Sequence, residues 1–433
     1  MDVSVRLRVV EDGAELEQVL RQLELRGESD LERVEPAVRE VLAAVKREGD
    51  AAVRRYVRQF ERREPEALLL GDYGGEAALS SLDPALAAAL TEAAARIRRF
   101  HEHQAAQTAS FEYEEGGVRL GTRVRPLGRV GVYAPGGKAR YPSSVLMCAV
   151  IARVAGVREI IVATPDASLE VRAACHLAGV DAILDAGGAQ AIAALAHGTE
   201  TVPRVDKIVG PGNIYVAAAK RLVFGQVDID SIAGPSEILV IADDSADADV
   251  IAADLLSQAE HDEAAYPLLL TTCSALAAKV QAALAVRLAE LPRRAIAEAS
   301  VEANGWALVA PDAEALIAIA NRLAAEHVAL HVKDAREVAA RVSHAGALFI
   351  GGMTPEAAGD YVAGPSHVLP TGGAARYGSP LGVYDFVART SLIEYSAEAL
   401  VAAAPGIETL ARAEGLEAHA RAVSVRTSKT SRG

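Results

Sequence analysis

Residues 204–262 read RVDKIVGPGNIYVAAAKRLVFGQVDIDSIAGPSEILVIADDSADADVIAADLLSQAEHD. An apolar strand is expected at 207–209, and it runs through a Gly-Pro-Gly-Asn loop into a helix. A second apolar run at 238–242 follows the turn Ala-Gly-Pro-Ser and leads into another helix. Strands that alternate with helices at this spacing are typical of an α/β fold. The second helix ends with Gln258 and His261, whose three-residue spacing places both side chains on one helical face.

The same rhythm extends in both directions along the chain. Further apolar strands, with helices between them, are expected at 130–133, 159–163, 181–184, 266–271, 306–309, 328–332 and 347–350. Short connections from strand to helix imply right-handed crossovers between parallel strands. The sequence therefore predicts an α/β fold with two Rossmann-like open sheets covered by helices.

The remaining regions have other patterns. The first hundred residues show helical spacing, while alternating apolar and polar residues over 112–126 are typical of a β-ribbon. Residues 351–380 form a glycine- and proline-rich loop, and long loops of that kind are often functional. Four parts are predicted: a small N-terminal helical and β-ribbon region (1–29 and 105–128), a first Rossmann-like domain (30–104 and 238–380), a second one (129–237) and a C-terminal arm (381–433).

The composition narrows the class of protein. A chain of 433 residues exceeds one ordinary hydrophobic core, and a formal net charge of −14 argues against non-specific binding to nucleic acid or anionic membranes. No apolar run approaches the roughly 20 residues of a membrane span, and the N-terminus lacks a signal-peptide core. Cys148, Cys175 and Cys273 have no CxxC spacing and are expected to be buried in the protein. So few cysteines are typical of a protein from a reducing compartment. We therefore expect a soluble cytoplasmic protein.

Three consecutive strands are followed by glycine-bearing loops: Tyr133-Ala-Pro-Gly136-Gly137, Gly187-Gly188-Ala-Gln190 and Gly210-Pro-Gly212-Asn213. Glycine lets the backbone approach a phosphate, and the start of the next helix offers free N–H groups and a positive dipole. The usual dinucleotide fingerprint G-x-G-x-x-G is absent, so each loop alone could be a plain tight turn. Asn213 could equally be a helix N-cap.

The sequence evidence for metal ligands and acid–base groups is weak when each candidate residue is considered alone. Gln258 and His261 could be ordinary helical residues, and Asp360 and His367 could be turn formers in the glycine- and proline-rich loop. His419 would be a surface residue by default. The adjacent pair Glu326-His327 could be a helix C-terminal charge pair. These positions are too far apart along the chain for their spacing to indicate a common site. The other histidines are expected to face solvent, namely His101, His103, His176, His197, His331 and His344.

Two motifs carry a specific resemblance. Asp230-x-x-Ala233-Gly234-Pro235-Ser236-Glu237, followed by Glu260-His261, resembles the signature of the histidinol dehydrogenase family. The run that begins at Gly359-Asp360-Tyr361 and continues through Gly364-Pro365-Ser366-His367 to Gly373 is similar to a loop of that family. The resemblance extends from about Arg129 to His419. Ala388 and the run Ala329-Leu330-His331 depart from the family pattern.

This resemblance implies a homodimer that oxidises L-histidinol to L-histidine in two NAD-dependent steps, the last of histidine biosynthesis. It implies one Zn²⁺ per subunit, bound by Gln258, His261, Asp360 and His419, and NAD contacts from Tyr133, Gln190 and Asn213. His327 would be the catalytic base and Glu326 would activate water. Substrate would be held by Ser236, His367 and Glu414 together with the zinc ligands and His327, with Glu414 and His419 contributed across the dimer interface. The first Rossmann-like domain would then carry the zinc and catalytic residues and the second would bind NAD.

Two other interpretations stay open at this point. A paralogous zinc alcohol dehydrogenase of the same fold could act on another small alcohol, which NADH formation with different alcohols would reveal. A non-enzymatic α/β binding protein is disfavoured because Glu326 and His327 are both present.

Overall fold

The computed structural model describes residues 5–11, 13–26, 31–136 and 141–430. They form two compact units. The first contains residues 1–104 and 127–386, and the second contains residues 105–126 and 387–433. Both open sheets belong to the first unit, so the predicted α/β fold class is confirmed.

The first sheet has six strands, all parallel. In spatial order they are β1 (Arg8–Val10), β12 (Trp306–Val309), β11 (Tyr266–Thr271), β10 (Glu237–Ala242), β13 (His327–His331) and β14 (Ala347–Ile350). The central strands are apolar along most of their length because helices cover both faces. One face packs on α10 (Ala248–Ala259), α11 (Ser274–Leu288) and α12 (Arg294–Asn304). The other packs on α1 (Gly13–Glu24), α13 (Ala313–Leu323) and α14 (Ala335–Arg341).

The second sheet also has six strands, and only its short edge strand is antiparallel to its neighbour. In spatial order they are β2 (Leu69–Leu70), β7 (Ala182–Leu184), β6 (Glu159–Ala163), β5 (Arg129–Tyr133), β8 (Lys207–Val209) and β9 (Asp228–Ile229). One face packs on α2 (Leu31–Glu48), α3 (Asp50–Tyr56), α8 (Gly188–His197) and α9 (Ile214–Val223). Three further helices pack in series, α4 (Gly75–Ser81) on α7 (Leu169–Ala178) and α7 on α6 (Pro142–Val154).

Shorter elements complete the first unit. A π-helical turn spans Val57–Glu61, and 3₁₀ turns span Ala374–Arg376 and Val383–Phe386. The long loop after β14 contains α15 (Glu356–Tyr361), and α5 (Pro84–Ala106) packs against that loop near Gly364.

The second unit is a three-stranded antiparallel sheet with two helices. Its strands are β3 (Phe111–Glu115), β4 (Val118–Pro126) and β15 (Val387–Tyr395), with β4 in the middle. Helix α16 (Ala397–Ala413) begins where the Ser396 side chain caps the N–H of Ala399, and α17 (Glu417–Thr430) packs on α16. The predicted β-ribbon is therefore present, and the C-terminal arm supplies its third strand.

The placement of the N-terminal segments differs from the prediction. The described part of 1–29 contributes the edge strand β1 and helix α1 to the first sheet rather than to a separate region. Helices α2 and α3, assigned to the domain with residues 238–380, instead bury their apolar faces on the second sheet. Helical periodicity predicts a buried face but does not say which sheet it covers, and this explains the error.

The predicted site residues lie at opposite edges of the two open sheets. The loops after β5, β7 and β8 lie at the carboxyl edge of the second sheet, whereas Glu237 and His327 begin β10 and β13 at the amino edge of the first. Residues 230–236 join the end of β9 directly to the start of β10. Since an extended chain covers at most about 3.5 Å per residue, this link keeps the two edges within about 28 Å of each other.

Candidate active site

His327 is buried at the start of β13, and one hydrogen bond sets its orientation. Its Nδ1 lies 2.9 Å from the carbonyl oxygen of Glu237 on the neighbouring strand. Since a carbonyl oxygen only accepts, Nδ1 carries the hydrogen and Nε2 bears the lone pair in the neutral ring. Among the described residues, this buried Nε2 has no hydrogen-bond partner. In its neutral form the ring therefore presents a proton-accepting nitrogen in a fixed direction.

Three carboxylates surround this imidazole. Oε2 of Glu326 lies 3.6 Å from Nδ1, while Oε1 of Glu356 and Oδ1 of Asp360 lie 3.8 Å and 4.0 Å from Nε2. His327, Glu356 and Asp360 each offer one ligand atom, and these atoms lie within 4.8 Å of one another. Oxygen and imidazole nitrogen atoms so close together can hold a divalent cation.

The charges of this pocket are not balanced. Burial disfavours the cationic form of His327, but the carboxylates of Glu356, Glu326 and Asp360 outweigh burial and raise the pKa of His327 to about 10. Burial raises the pKa of the Glu356 carboxyl to about 8, although the neighbouring His327 cation opposes that shift. Several buried carboxylates thus share one imidazole, so the pocket favours an added positive charge.

Glu356 also orients the amide of Gln258. In the orientation that satisfies both groups, the Gln258 amide nitrogen donates to both Glu356 oxygens, with a distance of 3.2 Å to Oε2. The Ser257 hydroxyl oxygen lies 3.4 Å from the same Oε2 and 2.8 Å from the Asp254 carbonyl oxygen. With its nitrogen held in this way, Gln258 has its carbonyl oxygen available for a cation.

His261 lies just beyond the helix that carries Gln258. Helix α10 ends at Ala259, so the two residues do not share one helical face as expected; His261 is in the following turn. Its backbone N–H donates to the main-chain carbonyl oxygen of Gln258 at 3.1 Å, and its side chain is exposed. The tight turn keeps the two residues adjacent.

The loop that carries Asp360 and His367 is fixed by several contacts. Nδ1 of His367 lies 3.1 Å from the Asp360 carbonyl oxygen and 3.9 Å from its Oδ1. Burial lowers the pKa of His367, and the Asp360 carboxylate only partly offsets that effect. The Ser366 hydroxyl donates to the carbonyl of Met147 at 3.2 Å, which ties this loop to α6 beside the second sheet. His367 is therefore a neutral imidazole whose Nε2 can bind a ligand.

The structure brings five of the predicted residues together: Gln258, Glu326, His327, Asp360 and His367. Ser236 is partly buried directly before β10, where its carbonyl accepts from Tyr266 N–H at 2.9 Å. Glu414 and His419 belong to the second unit, in which Glu414 follows α16 and His419 lies in α17. Both side chains are exposed.

The second predicted cofactor loop, residues 187–190, has two backbone N–H groups that are already bound. Gly187 N–H donates to Oε1 of Glu61 at 2.9 Å, and Gly188 N–H donates to the Tyr133 hydroxyl at 3.0 Å. Gln190 donates from Nε2 to Oε1 of Glu61 at 3.1 Å. Tyr133 therefore keeps its hydroxyl hydrogen, and Gln190 its carbonyl oxygen, for a ligand. Gly137 lies outside the described residues.

The third loop is clamped by a buried ion pair. Asp230 accepts from Gly210 N–H at 2.7 Å and pairs with the Lys220 ammonium, which also donates to the Gly210 carbonyl at 3.1 Å. Asn213 caps α9 by accepting from the N–H groups of Tyr215 and Val216. This N-cap was one of the two predicted roles of Asn213, and its exposed amide nitrogen stays available to a ligand.

Sequence reasoning missed Glu356 and misjudged two histidines. His331 and His101 are buried rather than facing solvent. Nε2 of His331 lies 2.8 Å from Oδ2 of Asp254, and Nδ1 of His101 lies 2.8 Å from the Ile97 carbonyl oxygen. For His331, the sequence did contain a signal of burial. The i, i+2, i+4 spacing of His327, Ala329 and His331 on a strand puts both histidines on one sheet face. Of the cysteines, Cys148 and Cys175 are buried as expected and Cys273 is partly buried.

Comparisons with known proteins show the family to which the chain belongs. The family model for histidinol dehydrogenase matches residues 24–427. A histidinol dehydrogenase of Syntrophotalea carbinolica is 52% identical over 96% of this chain and 97% of the relative, and one of Lactiplantibacillus plantarum is 50% identical over 91% and 93%. The crystal structure of histidinol dehydrogenase from Elizabethkingia anophelis superposes with a TM-score of 0.91 and 33% identity over 99% of both chains.

The two open sheets and these matches together place the chain among the α/β oxidoreductases. Within that class, the chain belongs to the histidinol dehydrogenase family. Among the helices that the structure describes, none is both long and apolar enough to span a membrane.

Proposed function

We propose that the protein oxidises L-histidinol to L-histidine through L-histidinal, with zinc and NAD. The observation that carries this proposal is the unpartnered Nε2 of His327, held in one direction by the Glu237 carbonyl beside Glu326, Glu356 and Asp360. An alcohol dehydrogenase needs such a base to take the hydroxyl proton while the carbinol carbon loses a hydride.

The donor set fits a divalent cation. We assign zinc to Gln258, His261 and Asp360, together with His419 from a second copy of the chain. Glu356 is not assigned as a ligand because it already holds the Gln258 amide. When bound, the metal would orient the imidazole and the amine of the substrate. Its charge would offset that of Asp360, so the pKa of His327 would fall from its value in the metal-free pocket and leave the ring neutral enough to act as a base.

The residues of the chain then share the two oxidations. His327 would accept the hydroxyl proton at Nε2, and bound NAD would supply the hydride acceptor for each oxidation. Glu326 would accept a proton from water as the water oxygen bonds to the aldehyde carbon, while His327 would return its proton to the carbonyl oxygen, which gives the diol. His327, neutral again, would then accept a hydroxyl proton from the diol as the diol is oxidised to the acid, and the proton on Glu326 would leave to solvent. Asp360 and His367 hold the substrate with Ser236 and Glu414, and a bound aldehyde is protected from side reactions.

The cofactor residues are proposed from the donors and acceptors that the fold leaves available. Tyr133 offers a hydroxyl hydrogen, Gln190 a carbonyl oxygen and Asn213 an amide nitrogen, all at the carboxyl edge of the second sheet. This edge is where open α/β sheets bind dinucleotides. A homodimer and a cytoplasmic location also stay proposals; three free cysteines support the second.

A substrate comparison tests the proposal. NADH formation should be measured with L-histidinol and with other small alcohols that lack the imidazole or the amine, at equal concentration. Histidinol should be favoured in kcat/KM by several orders of magnitude, since two ligand groups are lost in the alternatives. A preference for a different alcohol would contradict the proposed substrate and favour a paralogous dehydrogenase.

A further inference from the structure

A buried ion pair lies directly behind the catalytic residues. The side chains of Arg26 and Glu237 are each 1% exposed, and Nη2 of Arg26 donates to Oε2 of Glu237 at 2.8 Å. Arg26 follows α1, and its guanidinium also donates to the carbonyls of Leu23 and Leu323, each at 2.6 Å. The pair therefore fastens the N-terminal segment to the amino edge of the first sheet.

The Glu237 carboxylate has two further donors. Its Oε1 accepts from Gly372 N–H at 2.6 Å, and its Oε2 accepts from Glu326 N–H at 3.3 Å. Gly372 belongs to the same long loop as Asp360 and His367. Beside it, Gly234 N–H donates to the Thr371 hydroxyl at 2.6 Å. One carboxylate thus connects the N-terminal segment, the start of β13 and the substrate loop.

The backbone of Glu237 completes the arrangement. Its N–H donates to Oε2 of Glu326 at 2.8 Å, and its carbonyl accepts from Nδ1 of His327 at 2.9 Å. Glu237 therefore contacts both residues of the proposed catalytic pair through its main chain and fixes their backbone through its side chain. Hydrogen bonds of this kind hold reacting groups in geometries where a displacement of about 1 Å costs on the order of 100-fold in rate.

We propose that Arg26 and Glu237 are positioning residues of the active site. Their ion pair sets the positions of Glu326, His327 and the loop around Gly372 without touching substrate. This inference rests on the proposed function for its kinetic part, but its structural part can be measured independently. A neutral amide at position 237 would turn its NH₂ either toward Gly372 N–H or toward the donors from Arg26 and Glu326, so at least one of the three hydrogen bonds would be lost. Removing Arg26 alone would leave a buried carboxylate uncompensated.

The experiment uses four variants of the full-length protein. Glu237→Gln and Arg26→Met each break the pair, and Arg26→Met/Glu237→Gln avoids an unpaired buried charge if the single variants fold poorly. Arg26→Lys keeps the positive charge. The matched control is Arg322→Met, because Arg322 joins the same α1 helix to α13 through Glu17 and Glu24 at 2.6 Å and 2.7 Å without contacting Glu237.

Two readouts separate positioning from mere stability. Amide hydrogen exchange should speed up in the segments around Glu326 and Gly372 in the pair variants but not in the control. In zinc-loaded enzyme, kcat per folded site should fall about 100-fold with a smaller change in KM, and Arg26→Lys should recover part of it, while the control stays within about twofold. Unchanged exchange in both segments, or a double variant with wild-type kcat, would overturn the proposal. A wild-type protein that is inactive with histidinol would defeat the proposed function instead, while the exchange data would still decide this inference.

Discussion

At the residue scale, His327 and Glu326 have different roles in the two proposed oxidations. His327 takes a proton in both, whereas Glu326 acts only on the water that attacks the aldehyde. His327→Gln should therefore slow both oxidations by about 10²–10⁴-fold. Glu326→Gln should leave the first oxidation measurable and lower the NADH formed per histidinol from two toward one.

A stopped-flow measurement of NADH checks this division, with added L-histidinal as a second substrate. Glu263→Gln, at an exposed position beyond α10, serves as the control and should match the wild type. Equal loss of both oxidations in Glu326→Gln would contradict the role given to that carboxylate.

The stability of the metal-free protein should depend on pH through the same pocket. The pKa of Glu356 rises from 4.5 to about 8 by burial, and the pKa of His327 rises from 6.5 to about 10 because of the carboxylates around it. Over these ranges the folded state binds more protons than the unfolded state, so the free energy of unfolding should fall as pH rises from about 5 to about 10.

Glu356→Gln should flatten the lower half of this dependence, because it removes the titrating carboxyl and part of the negative charge that acts on His327. Urea unfolding of chelator-treated protein at several pH values measures the effect, with the exposed Glu302→Gln as control. A metal-free protein whose stability increases between pH 5 and 8 would contradict the assignment of these charges, and so would a Glu302→Gln variant that flattens the dependence as much as Glu356→Gln does.

Single residues show how far sequence reasoning reached. Glu326, His327, Gln258, Asp360 and His367 could be predicted from the family resemblance, and the structure brings them together. Glu356 could not, because its importance comes from the approach of two helices far apart in sequence, α10 and α15. Strand spacing could have placed His331 on the same sheet face as His327, but its partner Asp254 could not be predicted because Asp254 lies on another element. Local spacing does not contain such long-range pairs.

At the element scale, the strands and the loops after them were predictable, but the edge used for chemistry was not. Apolar runs fixed the expected strands near their observed bounds, as at Lys207–Val209 and Ala347–Ile350. The rule that ligands bind at carboxyl ends of strands describes the proposed cofactor loops. The proposed catalytic pair instead lies at the amino edge of the first sheet, where β10 and β13 begin. The short link 230–236 is consistent with both edges serving one proposed site.

The loop after β8 makes an element-scale prediction. Gly210 has φ +108°, and a Cβ atom there would collide with the Tyr133 carbonyl oxygen. Gly210→Ala should therefore destabilise the fold by about 1–3 kcal/mol and also weaken NAD binding, since the loop and Tyr133 would move apart. Thermal unfolding and NAD titration measure the two effects.

Gly71→Ala is the control, because a Cβ at Gly71 meets nothing within 4 Å. It should leave both quantities unchanged. An unaltered NAD affinity in Gly210→Ala would remove this loop from the proposed cofactor site.

At the scale of the whole molecule, the α/β class was predictable and the assignment of segments to sheets was not. Amphipathic helices such as α2 bury a valine-rich stripe, but the residues of that stripe do not indicate which sheet the helix packs on. The same holds for β1, which completes the edge of the first sheet from the other end of the chain. Long-range topology decides these contacts, so the domain bounds required the structure.

The proposed dimer predicts complementation between inactive chains. His419→Ala and His327→Ala chains, mixed after mild dissociation, should form heterodimers in which about half the sites carry both intact residues. Activity should therefore reappear in the mixture, while each variant alone stays inactive. Measured heterodimers without recovered activity would place His419 in the site of its own chain.

The stoichiometry of the reaction tests the central claim most directly. NADH produced and L-histidinol consumed should be measured to completion on the same sample, before chelation, after chelation and after zinc is restored. We predict two NADH per histidinol, loss of activity after chelation and recovery with zinc. One NADH per histidinol, or full activity without metal, would contradict the account of a single zinc site that carries an alcohol through to an acid.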